Sequence, residues 1–282
     1  MSFPLSGKTA FISGSSGGIG KAIAKTFAAN GADVILHYNL RKDGAFSACE
    51  EINNAHKDAT TSSSTQGGDD RNTPGKCLGV IHADFRSQED VHKMFQSIID
   101  KYERVDILVN NAGIVTKLAI EDDDDDLSVW HETMAVNLHA PLQLMRLAHG
   151  HMKSKGGVII NNSSIHGSRS VEFMNAYAAS KAALDSLTRG LALEYAADSV
   201  RVNAIAPGVV PVERTAHLFA DQNVVDMWTP HLPVGRLGSV QDIADATLLL
   251  ATNEWMTGSV LTVDGGMMAR ANMPIRPRPP KS

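Results

Sequence analysis

Thr9-Ala10-Phe11-Ile12-Ser13-Gly14-Ser15-Ser16-Gly17-Gly18-Ile19-Gly20 is the stretch that decides how this chain folds. Lys8 to Ser13 is a short apolar strand that stops in a glycine cluster. From Gly18 to Asn30, Ile19, Ile23 and Phe27 fall on one stripe and Gly31 supplies a stop, so a helix is expected there. A strand feeding a helix through glycines places free N–H groups and the positive end of the helix dipole at the turn, which suits phosphates. A side chain at Gly14 or Gly18 would obstruct the close approach of backbone to such a ligand, and Gly20 lets helix and strand pack. Glycines alone would read equally well as a flexible turn; their position at the first strand–helix junction gives them meaning.

Outward from that junction, strand and helix alternate. Strands are expected at Asp33–His37, Cys77–His82, Val105–Asn110, Gly157–Asn162, Val200–Ile205 and Ser259–Val263. Helices are expected at Ala45–Ala55, Gln88–Tyr102 (with Val91, Phe95, Ile98 and Ile99 as its stripe), Ser128–Lys153, Asn175–Ala196 and Ser239–Thr252. Strands that are continuously apolar, rather than alternating, belong to a parallel sheet covered on both faces. The pattern therefore predicts an α/β chain: one Rossmann-fold domain over residues 5–268, a doubly wound parallel sheet of about seven strands with helices on both faces.

Three stretches break the rhythm. Residues 58–75 are rich in Ser, Thr, Gly and Asp and read as a low-complexity surface loop. Asp122 to Asp126 is a run of carboxylates, better placed to be solvated or to lie near the next helix N-terminus than to converge on a metal. Residues 269–282 form a basic, proline-rich tail.

Composition narrows the function. Of the 282 residues 43% are hydrophobic and 20% charged, and the net charge of -5 lacks the basic excess of a nucleic-acid binder. No window reaches membrane-spanning length, and the N-terminus shows no charged-then-apolar leader. Cys49 and Cys77 are too few for a disulfide framework or a four-thiolate zinc site, so a reduced intracellular compartment is the simplest reading and a cytoplasmic location is expected.

Tyr177-Ala178-Ala179-Ser180-Lys181 puts a phenol and an ammonium on one helix face. An ammonium nearby favours tyrosinate and would lower the phenol pKa toward working pH. Alone, the pair would read as a surface Tyr with a solvated Lys. It stands, however, beside Asn162-Ser163-Ser164, which closes the fifth strand at the edge where open α/β sheets place ligands.

Together these motifs resemble the short-chain dehydrogenase/reductase family, including its 3-oxoacyl-carrier-protein reductase and glucose 1-dehydrogenase types. The family's Thr-Gly-x-x-x-Gly-x-Gly becomes Ser13 to Gly20 here, with Ser13 keeping the hydroxyl, and Asn110-Asn111-Ala112-Gly113 matches its Asn-Asn-Ala-Gly signature. The resemblance implies that Tyr177 exchanges the proton at the substrate oxygen, and that Lys181 also holds the nicotinamide ribose. It further implies that Ser164, selected over Ser163 by the family spacing, bonds the reacting carbonyl, and that Asn137 holds a water linking Lys181 to solvent. Cofactor contacts are assigned to Gly14, Ser16, Gly18, Ile19, Gly20, Tyr38, Asn39, Arg41, Asp84, Phe85, Asn111, Ala112, Gly113, Tyr177, Lys181, Pro207, Gly208 and Val210, with Asp84 expected at the adenine amino group. Where the family often has a carboxamide-binding threonine this chain has Val212, so a backbone amide, or Thr215 after local rearrangement, is expected to substitute.

His37 to Lys42 contains no acid where an NAD ribose would want one, and Arg41 and Lys42 favour NADP. Gly17 and Asn39 stand where NADP-preferring members often carry basic residues, which keeps NAD as the alternative. Ser164, His166, Tyr177 and Trp228 are expected at the substrate, under a lid spanning residues 213–232. The expectation is an NADP(H)-dependent oxidoreductase acting on a ketone or secondary alcohol, without metal, assembled as a homotetramer through its long helices. The alternatives are an NAD-dependent sugar or secondary-alcohol dehydrogenase and, from another class, a non-catalytic dinucleotide-sensing protein.

Overall fold

The computed structural model describes residues 3–63, 73–123 and 126–269. Seven strands form one parallel sheet: β1 (Thr9–Ile12), β2 (Asp33–Tyr38), β3 (Cys77–His82), β4 (Ile107–Asn110), β5 (Gly157–Asn162), β6 (Val200–Pro207) and β7 (Val260–Val263). Their order is β3-β2-β1-β4-β5-β6-β7, so the direction of winding reverses between β1 and β4. In such sheets the crevice outside the carboxyl ends at the reversal is the ligand site.

Successive strand residues point to opposite faces, and both faces are covered. On one side Ile12, Leu36, Val109 and Ile160 pack with Ile23 and Phe27 of α1 (Gly18–Ala29), Ile52 of α2 (Lys42–Ser63) and Leu250 of α9 (Val240–Thr252). On the other, Phe11, Ile35, Leu108 and Ile159 meet Phe95 of α3 (Gln88–Tyr102), Leu144 of α5 (Ala140–Met152) and Leu184 of α6 (Asn175–Tyr195). Each fully buried side chain of this size contributes about 1.5–3 kcal/mol. Phe11 and Leu108, both 0% exposed and paired in register, hold the winding reversal at its centre.

Three features depart from the sequence expectation. First, α2 runs to Ser63, so residues 58–63 are helical rather than loop: the Thr60 and Thr61 hydroxyls donate back to the His56 and Lys57 carbonyls and satisfy themselves within the helix. The middle of that stretch, residues 64–72, and the tail beyond 269 lie outside the described residues.

Second, the long helical segment after Ser128 is not uniform. It comprises α4 (Ser128–Met134), a π turn at Ala135–His139, and α5. Asp123, from the acidic run, accepts the Val129 and Trp130 amides at the start of α4, 3.1 Å each. Third, Cys49 and Cys77 are disulfide-bonded, their Cα atoms 5.3 Å apart. The 28-residue separation concealed this; α2 packs back across β3, and Asn53 accepts the Cys77 amide at 2.8 Å. Among the described residues no helix is long and apolar enough to cross a membrane.

Candidate active site

The glycine turn is built by its neighbours. The Ser13 hydroxyl accepts the Asn111 and Ala112 amides, both at 3.0 Å, and so ties the end of β1 to the end of β4. The Asn111 side chain donates to the Ser13 and Gly14 carbonyls at 2.9 and 3.0 Å. Gly14 has φ +63°, and a Cβ there would stand 2.8 Å from Ala112 Cα, so only glycine fits. At Gly20 a Cβ would lie 2.4 Å from the Gly14 carbonyl oxygen, which fixes how closely α1 approaches the turn. The first turn of α1 carries no acid of its own, and the carboxylate that lies at its N-terminus is Glu213, 3.1 Å from a Cβ on Gly17.

His37, at the carboxyl end of β2, completes the turn and was not singled out by sequence. Its Nδ1 accepts the Gly14 amide at 3.0 Å, and its Nε2 faces the Ala83 carbonyl at 3.1 Å. Burial pushes its pKa down to about 4. The ring is therefore neutral at pH 7, with Nε2 protonated. Its only legible signal was a histidine closing an otherwise apolar strand.

At the adenosine end the expected residues divide. The Phe85 ring is buried and stacked on His37, centroids 4.4 Å apart, so its side chain is not presented to a ligand. The Asp84 carboxylate is gripped by the Arg86 guanidinium at 2.9 Å, which lowers its pKa. Tyr38 and Asn39 are half-buried at the strand end, and Arg41 is exposed. Arg41 reaches over the glycine turn toward Glu213, 3.9 Å away. A Cβ on Gly17 would stand 2.8 Å from the Arg41 guanidinium and 3.1 Å from the Glu213 carboxylate.

The catalytic candidates converge from β5, α6 and the π turn. Ser163 and Ser164 part company: the Ser163 hydroxyl donates to the Lys181 carbonyl at 3.4 Å, whereas the Ser164 hydroxyl accepts the His166 amide at 3.2 Å and lies on the Tyr177 side, where it favours the phenolate. Lys181 is 4% exposed, donates to the Asn162 carbonyl at 2.7 Å, and has its Nζ 5.7 Å from the Tyr177 ring centre. Burial pushes its pKa down to about 8. The expected lowering of the Tyr177 pKa is not found. Burial raises it, because a buried phenolate loses its hydration, and the Ser164 hydroxyl and Arg214 charge offset this only in part.

Asn137 lies in the π turn, a local break in the helix ladder that often marks a functional site. Its side chain accepts the Ile114 amide and donates to the Ile114 carbonyl, both at 2.9 Å, and donates to Ser180 Oγ at 3.2 Å. A Cβ on Gly113 would stand 3.2 Å from Asn137 Oδ1 and 3.7 Å from Lys181 Nζ, so these two groups meet there. Asn162 donates to Asn111 Oδ1 at 2.8 Å, which links Lys181 to the glycine turn through a continuous chain of bonds.

Pro207 ends β6, and Gly208 packs against Asp264, where a Cβ would lie 2.7 Å from its Cα. Val210 faces Gly238, 2.9 Å from a Cβ there. Val212 lies against the glycine turn, 3.1 Å from a Cβ on Gly18. The Thr215 hydroxyl accepts the Val212 amide at 3.1 Å and so caps its own turn. Residues 213–232 fold as two short helices, α7 (Ala216–Phe219) and α8 (Gln222–Trp228), followed by a single turn. His166 meets the Tyr177 ring edge-on, centroids 5.9 Å apart. Trp228, half-buried at the end of α8, makes no ring contact with these side chains among the described residues.

Known proteins carry the same layout. The model of the family described as enoyl-(acyl carrier protein) reductase matches residues 14–268. The 3beta-hydroxysteroid dehydrogenase 1 of Eggerthella lenta is 35% identical over 267 residues, covering 93% of this chain and 94% of that protein. A solved 7 alpha-hydroxysteroid dehydrogenase, complexed with NADH and 7-oxo glycochenodeoxycholic acid, is similar with TM-score 0.78 at 31% identity, covering 93% of this chain and 94% of that one. A gluconate 5-dehydrogenase from Burkholderia cenocepacia, in complex with NADP and tartrate, gives TM-score 0.80 at 26% identity over 95% of this chain and 98% of that one. On the family match, the shared sheet and the sequence identity over nearly its whole length, the chain belongs to the short-chain dehydrogenase/reductase family.

Proposed function

We propose that the protein interconverts a ketone and a secondary alcohol with NADP as the hydride carrier, and that Tyr177 moves the proton. One observation carries the reading: Ser164, two residues beyond the end of β5, and Tyr177 and Lys181 from α6 lie together at the carboxyl edge of the sheet, while Ser163 turns away into α6. When bound, the nicotinamide supplies the hydride that adds to the carbonyl carbon. Ser164 donates to the carbonyl oxygen and Tyr177 delivers its phenolic proton there as the C–O bond becomes an alcohol. A raised phenol pKa suits this direction, because the group starts protonated at pH 7. Lys181 stabilises the phenolate left behind, and with a pKa near 8 it can return a proton. Asn137 positions it.

The glycine cradle and the carboxylate-free end of β2 fit a dinucleotide, with Arg41 at hand for a 2′-phosphate. Glu213 beside Arg41 is the observation that favours the second reading, NAD, since it offers a carboxylate at the same edge. Residues 213–232 serve in this reading as the substrate lid, residues 5–268 as the catalytic domain, and the protein works as a homotetramer. Following oxidation of NADPH and NADH against a panel of ketones tests the proposal. Turnover with higher kcat/KM for NADPH supports it. Tight NADPH binding without turnover of any ketone would reduce the protein to a dinucleotide sensor.

A further inference from the structure

Asn162, the last residue of β5, joins two parts of the site. Its main-chain carbonyl accepts Lys181 Nζ at 2.7 Å, and its side-chain nitrogen donates to Asn111 Oδ1 at 2.8 Å. Neighbours settle which way round that amide lies. The Asn111 Nδ2 group spends its two N–H donors on the Ser13 and Gly14 carbonyls, at 2.9 and 3.0 Å, and carbonyls can only accept. Asn111 therefore turns its Oδ1 to Asn162, and Asn162 must answer with its Nδ2. Asn162 Oδ1 is left over, buried and without a hydrogen-bond partner among the described residues, in a side chain only 9% exposed.

An acceptor left unmade in a buried place is costly. The preceding residues of β5, Val158, Ile159 and Ile160, show that aliphatic side chains fill this strand without that cost. Asn110 Oδ1 is a second unpaired acceptor, but its setting differs. Asn110 donates to Asn161, which turns to Thr188 of α6. Asn161 and Asn162 face opposite sides of the sheet, so the Asn110 pair belongs to the α6 layer and Asn162 to the glycine turn.

A dinucleotide laid from the glycine turn to Tyr177 puts its phosphates at the first and its nicotinamide at the second, so the sugar between them passes Asn162 and Lys181. A hydroxyl that accepts from Lys181 Nζ comes within two hydrogen-bond lengths, ~5.5 Å, of the Asn162 carbonyl. Lys181 offers only donors and Asn162 Oδ1 only an acceptor, and one hydroxyl can answer both. We infer that Asn162 Oδ1 accepts a hydrogen bond from the ribose that carries the nicotinamide, which makes Asn162 a cofactor-binding residue beside Lys181. The inference rests on the dinucleotide reading above and adds to it the group that holds the second sugar.

Calorimetric titration of the full-length protein with three ligands localises the contact. They are 2′-phospho-ADP, which has the diphosphate but no second sugar, 2′-phospho-ADP-ribose, which adds that sugar, and NADPH, which adds the nicotinamide. Asn162→Val is expected to change the Kd of the first by less than about twofold and to weaken the other two by about three- to tenfold, the scale of one neutral hydrogen bond. Asn162→Ser, which removes the same carbonyl oxygen, repeats the comparison should the valine variant lose its thermal transition. Equal weakening of all three ligands would make Asn162 a prop for Asn111 and the glycine turn and would overturn the inference. Unchanged affinities, or weakening confined to NADPH, would overturn it as well. If NADH is the tighter cofactor, ADP, ADP-ribose and NADH form the same series with the same outcomes. Turnover is not needed for any of these readings. The expected pattern in a protein that reduces no ketone keeps the inference although the reaction reading has failed, and a protein that binds no member of either series loses both.

Discussion

Nδ1 of His37 accepts the Gly14 amide, so the ring can carry only one proton, on the side facing the Ala83 carbonyl. A second proton would set N–H against N–H at the glycine turn. The folded pKa of about 4 lies below the ordinary 6.5, so in the window between them the unfolded chain binds the proton and the folded chain does not. The contribution is full above about pH 6.5 and is lost as pH falls toward 4, on the order of 3 kcal/mol, with His82 the other charge bearing on the ring. Denaturation midpoints and NADPH affinity measured from pH 7 to 4 should fall together, and His37→Leu should flatten the acid dependence while weakening NADPH binding at pH 7. Unchanged stability and affinity across that range would contradict the role.

A second residue-scale expectation concerns Arg41 and Glu213, 3.9 Å apart across the glycine turn. Both are about half exposed, so their attraction is slight, and a 2′-phosphate competing for Arg41 meets the repulsion of Glu213 as well. Glu213→Gln should therefore tighten NADPH several-fold with little effect on NADH, and Arg41→Ala should shift the kcat/KM ratio of the two cofactors toward NADH. Parallel changes for both cofactors would count against this assignment.

Among the elements, α2 is where sequence and structure differ most. Its Ser- and Thr-rich end looked unable to hold a helix, yet Thr60 and Thr61 close on carbonyls of the preceding turn. The bond between Cys49 and Cys77 ties α2 to β3. Closing a loop of this length restricts the unfolded chain by about 3–4 kcal/mol, so reductant should lower stability by that order and have no effect on Cys49→Ser. Alkylation of both thiols without prior reduction would show that the bond is absent.

By contrast, β3 and α3 have the bounds their apolar pattern indicates, because that pattern reports burial directly. The site divides by the same logic. Ser13, Asn111, Ser164 and Lys181 were legible because each sits at a strand end or at helix spacing, where order along the chain dictates place. The inward Phe85 ring, the self-capping Thr215 and the partner of Arg41 were not, because each depends on packing between segments distant in sequence. The π turn at Asn137 escaped as well, since one extra residue in a helical turn hardly disturbs the apolar stripe.

At the scale of the whole molecule, several helices carry exposed apolar side chains away from the site. Leu142 on α5 and Leu193 on α6 are 38% and 82% exposed, and Leu249 on α9 and Trp255 beyond it are 47% and 97% exposed. The proposed homotetramer would cover such side chains through twofold contacts, as in a dihedral tetramer. Light scattering should give four copies of the 30.2 kDa chain, and Leu193→Glu should yield a smaller species. A monomer at micromolar concentration would contradict the assembly.

The sheet, the glycine turn and the bond network from Gly14 through Asn111 and Asn162 to Lys181 all lead to one phenol. The most direct measurement compares the wild-type chain with Tyr177→Phe, following NADPH-driven reduction of the best ketone found and NADPH binding by fluorescence. Turnover is expected to fall by about a hundredfold or more, the scale of a lost general acid, with NADPH affinity within about threefold of wild type. A Tyr177→Phe protein that turns over at the wild-type rate would show that another group delivers the proton.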